Sequence, residues 1–112
     1  MQYIAHRINT IEALKKLPNT YGVEIDLRDT VDGTIHISHD PFIQGEDFEN
    51  YLRHYSHGLM ILNIKSERIE PKVLELINTY NVTDYFFLDS SFPMINVLSQ
   101  NGEKNIALRF SE

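Results

Sequence analysis

The period of apolar and polar positions changes along the chain, and each change marks an element. Residues 2–5 are a short, partly apolar segment, followed at helical spacing by Thr10, Ile11, Leu14 and Leu17 until Pro18. This predicts a strand and then a helix. From 21 to 28, Val23, Ile25 and Leu27 alternate with Glu24, Asp26 and Arg28, the period of a strand. Asp32-Gly33, followed by extended-looking residues 34–38, predicts a hairpin folding back over the end of that strand, and His39-Asp40-Pro41 terminates it. From Glu46, the positions Phe48, Tyr51, Leu52 and Tyr55 predict a second helix, acidic in its first turn and closed by Gly58. Residues 59–64 are a nearly continuous apolar run, which suits a strand covered on both faces. Ile69, Val73, Leu76, Ile77 and Tyr80 form a third helical stripe, with Pro71 in its first turn and Asn81 where a left-handed cap belongs. A strand at 85–88, a helix at 91–100 capped by Asn101-Gly102, and a strand at 105–110 complete the pattern.

Strands that alternate with helices in this way predict an α/β fold with right-handed parallel crossovers, here interrupted by a β-hairpin after the second strand. At 112 residues the chain is read as a single domain or fragment, without repeats or linkers. A complete (β/α)₈ barrel needs about 200 residues or more, so these parallel βα repeats would supply the first half of one.

Sixteen acids against ten Lys and Arg give a formal charge of −6 with no basic run, which argues against a nucleic-acid partner or a stable membrane anchor. A cation site fits this balance better. The absence of cysteine removes disulfides, thiolate metal sites and thiol nucleophiles. Neither a secretory leader nor a spanning apolar run is visible, so a cytoplasmic location is the default expectation.

In parallel α/β folds the chemistry collects at strand ends, and here those ends are polar: His6-Arg7, Glu24 and Asp26, His39-Asp40, Asn63 and Lys65, and Asp89. Glu24 and Asp26, two apart on a strand, place their carboxylates on one face about 6 to 7 Å apart. Between them a hard cation such as Mg²⁺ or Ca²⁺ would relieve their repulsion. The same alternation also fits a strand whose acids simply face water. His6 and His39 are candidates for an acid/base pair because imidazole titrates near neutral pH. Each read singly is more simply a surface or hydrogen-bonded histidine, and His36, His54 and His57 are read that way, the last two at a helix end. Arg7 and Lys65 are either ion-pair partners of nearby acids or the groups that hold a phosphate.

Taken together, His6-Arg7, Gly22-Val23-Glu24-Ile25-Asp26, Asp32-Gly33 and Ser38-His39-Asp40-Pro41 resemble the N-terminal half of the glycerophosphodiester phosphodiesterase family. The match covers about the first 41 residues and continues more weakly through Leu62-Asn63-Ile64-Lys65 and Ser91-Phe92. The resemblance implies a TIM barrel and a metal-dependent hydrolase of lipid metabolism that releases glycerol phosphate and an alcohol. It implies His6 and His39 as the catalytic acid/base pair, Glu24 and Asp26 as ligands of Mg²⁺ or Ca²⁺, and Arg7 and Lys65 as contacts to the substrate phosphate. Asn63 stands where the family carries a third acidic ligand, so that position is filled by the amide itself or by another group such as Asp89. The family's insertion after the hairpin is missing, and the strands that close its barrel would come from a C-terminal half or a second copy of the chain. The competing reading is a degenerate, non-catalytic module that binds a phosphate or a sugar phosphate at the same strand ends.

Overall fold

A computed structural model describes residues 3–88 together with the backbone strand at 106–107. The elements run β1 (Ile4–Ala5), α1 (Ile11–Lys16), β2 (Gly22–Asp29), β3 (Ile35–Ile37), β4 (Glu46–Asp47), α2 (Phe48–Arg53), β5 (Met60–Ile64), α3 (Glu70–Thr79), β6 (Tyr85–Leu88) and β7 (Ile106–Ala107). The expected helix at 91–100 lies outside the described residues, as do the ends of the expected strand at 105–110.

The fold is α/β, built on a mixed sheet with strand order β4-β3-β2-β5-β6-β7 and β1 beside β2. One edge of β2 pairs in parallel with β5, from Val23↔Met60 to Leu27↔Ile64. Its other edge is shared: β1 pairs in parallel at Gly22 and Val23, and β3 returns antiparallel opposite Leu27, Arg28 and Asp29. The hairpin is therefore where the Asp32-Gly33 turn predicts it. The β5–β6 and β6–β7 pairings are parallel, whereas the short β3–β4 pairing, which the sequence did not announce, is antiparallel.

The side-chain period of two divides the sheet into unlike faces. Val23, Ile25 and Leu27 align across the register with Met60, Leu62 and Ile64, and Phe87 follows on β6. All are buried, together with Leu14, Phe48, Tyr51, Leu52, Val73 and Ile77 from the three helices. The opposite face carries Glu24 and Asp26, with Ile61 and Asn63 beside them on β5.

Two boundaries differ from the pattern-based reading. Glu46 and Asp47 are extended rather than helical, because Asp47 serves α2 better from outside, where its carboxylate accepts the Asn50 N–H at 2.9 Å as an N-cap. The helix then ends at Arg53, short of Gly58. Leaving it early lets the Gly58 N–H reach the Tyr21 carbonyl at 2.9 Å and align β5 beside β2. His57 consequently lies beyond the helix, half-buried, with its Nε2 2.9 Å from the Leu17 carbonyl. Asn81 has the left-handed φ of 60° expected after α3.

Among the described residues no helix is long and apolar enough to cross a membrane. Glu70, in the first turn of α3, is 0% exposed, and neither carboxylate oxygen has a hydrogen-bond partner. A helix N-terminus favours an acid by about 0.3–1 kcal/mol, less than the roughly 1–3 kcal/mol lost by an unsatisfied buried polar group. Glu70→Met should therefore raise stability by about 1 kcal/mol, read as a rise of about 4–8 °C in the thermal midpoint.

Candidate functional site

The segment after β1 turns sharply at Arg7, whose φ of 53° is left-handed and sterically disfavoured for a side chain with a Cβ. Hydrogen bonds fix this turn. The Ile8 N–H reaches the Glu24 carbonyl at 3.1 Å, and the Tyr51 hydroxyl donates to the Ile8 carbonyl at 2.7 Å. Burial pushes the Tyr51 phenol above its ordinary range, so it remains a neutral donor at physiological pH. One residue further on, Asn9 fills the interval between β1 and β3 along the shared edge of β2. Its Oδ1 accepts the Asp26 N–H at 3.2 Å, and its Nδ2 donates to Asp26 Oδ2 at 3.0 Å. The Asp26 carbonyl accepts the Ser38 N–H at 3.0 Å.

These contacts hold Asp26 at 1% exposure, and the side chain of Glu24 is also largely shielded. The alternative in which both acids face water is thereby corrected: β2 sits mid-sheet, and its second face is the wall of a recess. Asn63, the register partner of Asp26 on β5, donates its Nδ2 to Asp26 Oδ1 at 3.2 Å. The Asn63 Oδ1 is buried without a hydrogen-bond partner.

Each candidate histidine stands against a carboxylate. His6 Nδ1 lies 3.2 Å from Glu24 Oε1, and His39 Nδ1 lies 3.7 Å from Asp26 Oδ2. The His6 contact is within hydrogen-bond reach, whereas that of His39 is a longer, electrostatic one. His39 is set by a residue that the sequence reading left out, Arg28. The Arg28 guanidinium donates from Nε to the Ser38 carbonyl at 3.1 Å and from Nη2 to the His39 carbonyl at 2.8 Å. Arg28 continues the Glu24, Asp26 alternation, which is the only sign of it in the sequence.

His6, Arg7, Glu24, Asp26, His39, Asn63 and Lys65 line one cavity of about 420 Å³. Asp89 lies outside the described residues. Arg7 and Lys65 form no ion pair among the described residues, and both line the cavity. No group of three or more His, Asp or Glu side chains is gathered to hold a metal ion among the described residues. The oxygens on hand are the Glu24 and Asp26 carboxylates and the unpartnered Asn63 amide oxygen. All are hard donors, the chemistry that Mg²⁺ and Ca²⁺ require, with water completing their coordination.

Removing Asn9 tests this arrangement. Asn9→Ala leaves the Asp26 N–H unpaired and takes one donor from its carboxylate, which should cost about 2–4 kcal/mol in chemical denaturation. Asn9→Asp should cost more than Asn9→Ala, because it sets a second carboxylate against Asp26; the reverse order would show that the amide does not hold it.

No protein-family model matches this chain, and no curated protein matches it.

Proposed function

We propose that the cavity is the active site of a metal-dependent phosphodiester hydrolase acting on glycerophosphodiesters, within a barrel whose remaining strands come from a C-terminal half or a second copy. The observation that carries this reading is the convergence of two imidazole–carboxylate pairs and two cationic side chains that form no ion pair among the described residues, from separate segments of the chain, on one recess. A phosphodiester needs both: cationic groups for its non-bridging oxygens, and one proton acceptor and one donor for the oxygens that attack and leave.

In this reading Arg7 and Lys65 bind the phosphate oxygens. One histidine takes the proton of the glycerol hydroxyl next to the phosphate as that oxygen bonds to phosphorus. The other protonates the alcohol oxygen as its bond to phosphorus breaks, leaving a cyclic glycerol phosphate. The histidines then exchange roles, one deprotonating a water that attacks phosphorus and the other protonating the ring oxygen released, to yield glycerol phosphate. Glu24 and Asp26, with Asn63 as a neutral third donor, would hold Mg²⁺ or Ca²⁺, which when bound supplies charge neutralisation at the phosphoryl oxygens.

A specific observation favours the second reading, a phosphate- or sugar-phosphate-binding module. The Asn63 amide is already engaged with Asp26 where a third carboxylate would bring further charge to a metal. Release of glycerol phosphate from glycerophosphocholine, measured with Mg²⁺, with Ca²⁺ and with chelator, separates the two. The hydrolase reading expects metal-dependent release that falls by about 10² or more in His6→Ala and in His39→Ala. Binding of inorganic phosphate without any release identifies the binding module.

Asn63→Glu probes the metal. Without a cation, this change replaces a donor to Asp26 with a second carboxylate, and the thermal midpoint should fall. Millimolar Mg²⁺ or Ca²⁺ should then raise the midpoint of the variant more than that of the parent chain, because binding to the folded state stabilises in proportion to RT ln(1 + [L]/Kd). An equal response of the two proteins places the cation elsewhere.

A further inference from the structure

Gly45, where the chain enters β4, is closed onto β3 by an imidazole. Its N–H donates to His36 Nδ1 at 3.0 Å, and His36 is only 6% exposed. A ring nitrogen that accepts carries no proton, so this imidazole is the neutral tautomer with its hydrogen on Nε2. The fit beside it is close: any Cβ at Gly45 would fall 1.7 Å from the Ile37 carbonyl oxygen, so the backbone lies directly against β3. The strand that follows is short. β4 has two residues and, among the described residues, pairs only with β3, at His36↔Asp47 and Ile37↔Glu46. From it Glu46 Oε1 accepts the Ile11 N–H at 3.2 Å, at the start of α1, and Asp47 caps α2. Before it, every residue from Asp40 to Gln44 is exposed. The segment that leaves His39 is thus anchored at its start by Arg28, on the Ser38 and His39 carbonyls, and at its end by His36.

We propose that His36 is an acid-sensitive latch: neutral, it holds the segment from Asp40 to Asp47 on β3, and on taking up a proton it releases that segment. The latch follows from hydrogen-bond chemistry alone, whereas its effect on the site, a loosened support for His39, rests on the phosphodiester reading above. A proton on Nδ1 sets two N–H groups against each other, and the half-buried Gly45 donor loses its acceptor. Imidazole is the side chain that makes this exchange near neutral pH. Charged groups surround it on every neighbouring element. Across the register stand Arg28 on β2 and Asp47 on β4, the first bonded to two carbonyls and the second to the Asn50 N–H. α2, which packs on β3, brings Glu49 and Arg53, 3.8 Å from each other. The segment itself adds Asp40, bonded to the Phe42 N–H, and Glu46, bonded to the Ile11 N–H. Among the described residues none of these groups is hydrogen-bonded or ion-paired to His36, so the Gly45 bond is the one that its proton decides.

The test is amide hydrogen exchange of the full chain, followed by NMR at about pH 7.5 and about pH 5 and corrected for intrinsic exchange, a window in which imidazole titrates while ordinary carboxylates stay ionised. In acid the Gly45 amide should lose protection by about tenfold or more, with the amides of the β2–β5 ladder unchanged. His36→Asn offers a side-chain oxygen near the place of Nδ1 that takes up no proton, so it should keep Gly45 protected at both pH values. His36→Leu should leave Gly45 unprotected at both. Protection that persists in the parent in acid overturns the proposal, as do an equal acid loss in His36→Asn and full protection in His36→Leu. If the variants do not fold, the parent decides: the His36 Nδ1 shift and the Gly45 protection should follow one pH curve, and separate curves overturn the latch. Hydrolysis of glycerophosphocholine keeps the two readings apart. Acid release of Gly45 in a parent without hydrolysis removes only the catalytic reading, and hydrolysis with Gly45 still protected in acid removes only the latch. In a hydrolysing parent, kcat should fall less between the two pH values in His36→Asn; an equal fall overturns the effect on the site.

Discussion

A carboxylate in the middle of a sheet has to be held in place, and Asp26 is the group around which this molecule is arranged. Withdrawing it from water costs several kcal/mol, and hydrogen bonds to a charged acceptor return about 1.5–3 kcal/mol each. Two amide donors, from Asn9 and Asn63, therefore about offset the burial. A third group, His39 at 3.7 Å, adds a charge-dependent attraction. Each of these partners belongs to a different segment, so satisfying one carboxylate fixes the turn after β1, the register of β5 against β2 and the approach of the chain that leaves β3.

The edge of β2 shows the same economy. A strand that gives half of one edge to a parallel neighbour and half to an antiparallel hairpin leaves backbone groups unpaired where the two fail to meet. Asn9 closes that interval with its side-chain amide, and in doing so orients the Asp26 carboxylate. Strand pairing and site construction are therefore a single problem with one solution. Arg28 extends it by bonding two consecutive carbonyls of the segment that presents His39.

The division of the sheet into a helix-covered apolar face and a polar, recessed face follows from the alternation in β2 and β5. On the covered face, Val23, Ile25, Leu27, Met60 and Leu62 are fully buried. On the other, the same alternation delivers Glu24, Asp26 and Asn63 to one wall, while the cationic side chains of Arg7 and Lys65 enter from strand ends. Only the Glu24 and Asp26 carboxylates are withdrawn from water there, which strengthens their interactions relative to the surface, while the side chains of His6 and His39 stay exposed.

Local chemistry in the sequence determined much of this. Period two in residues 21–28, the Asp-Gly turn, the apolar run at 59–64 and the stripe from Ile69 to Tyr80 report short-range preferences, and those strands, the hairpin and α3 lie where they point. The candidate residues were legible for a similar reason, because strand ends are marked by the polar residues that stop them. Tertiary structure decided what depends on distant partners. Whether Glu24 and Asp26 face water or a recess is identical in the alternation, and only the packing of β2 between neighbours settles it. Asn9 and Arg28 escaped notice because an amide in a turn and a cation on a strand look the same whether they meet solvent or a distant partner, here the Asp26 N–H 17 residues from Asn9 and the Ser38 carbonyl 10 residues from Arg28. The early end of α2 was invisible for the same reason: its last turn gives way to a backbone bond with Tyr21, a partner no local pattern names.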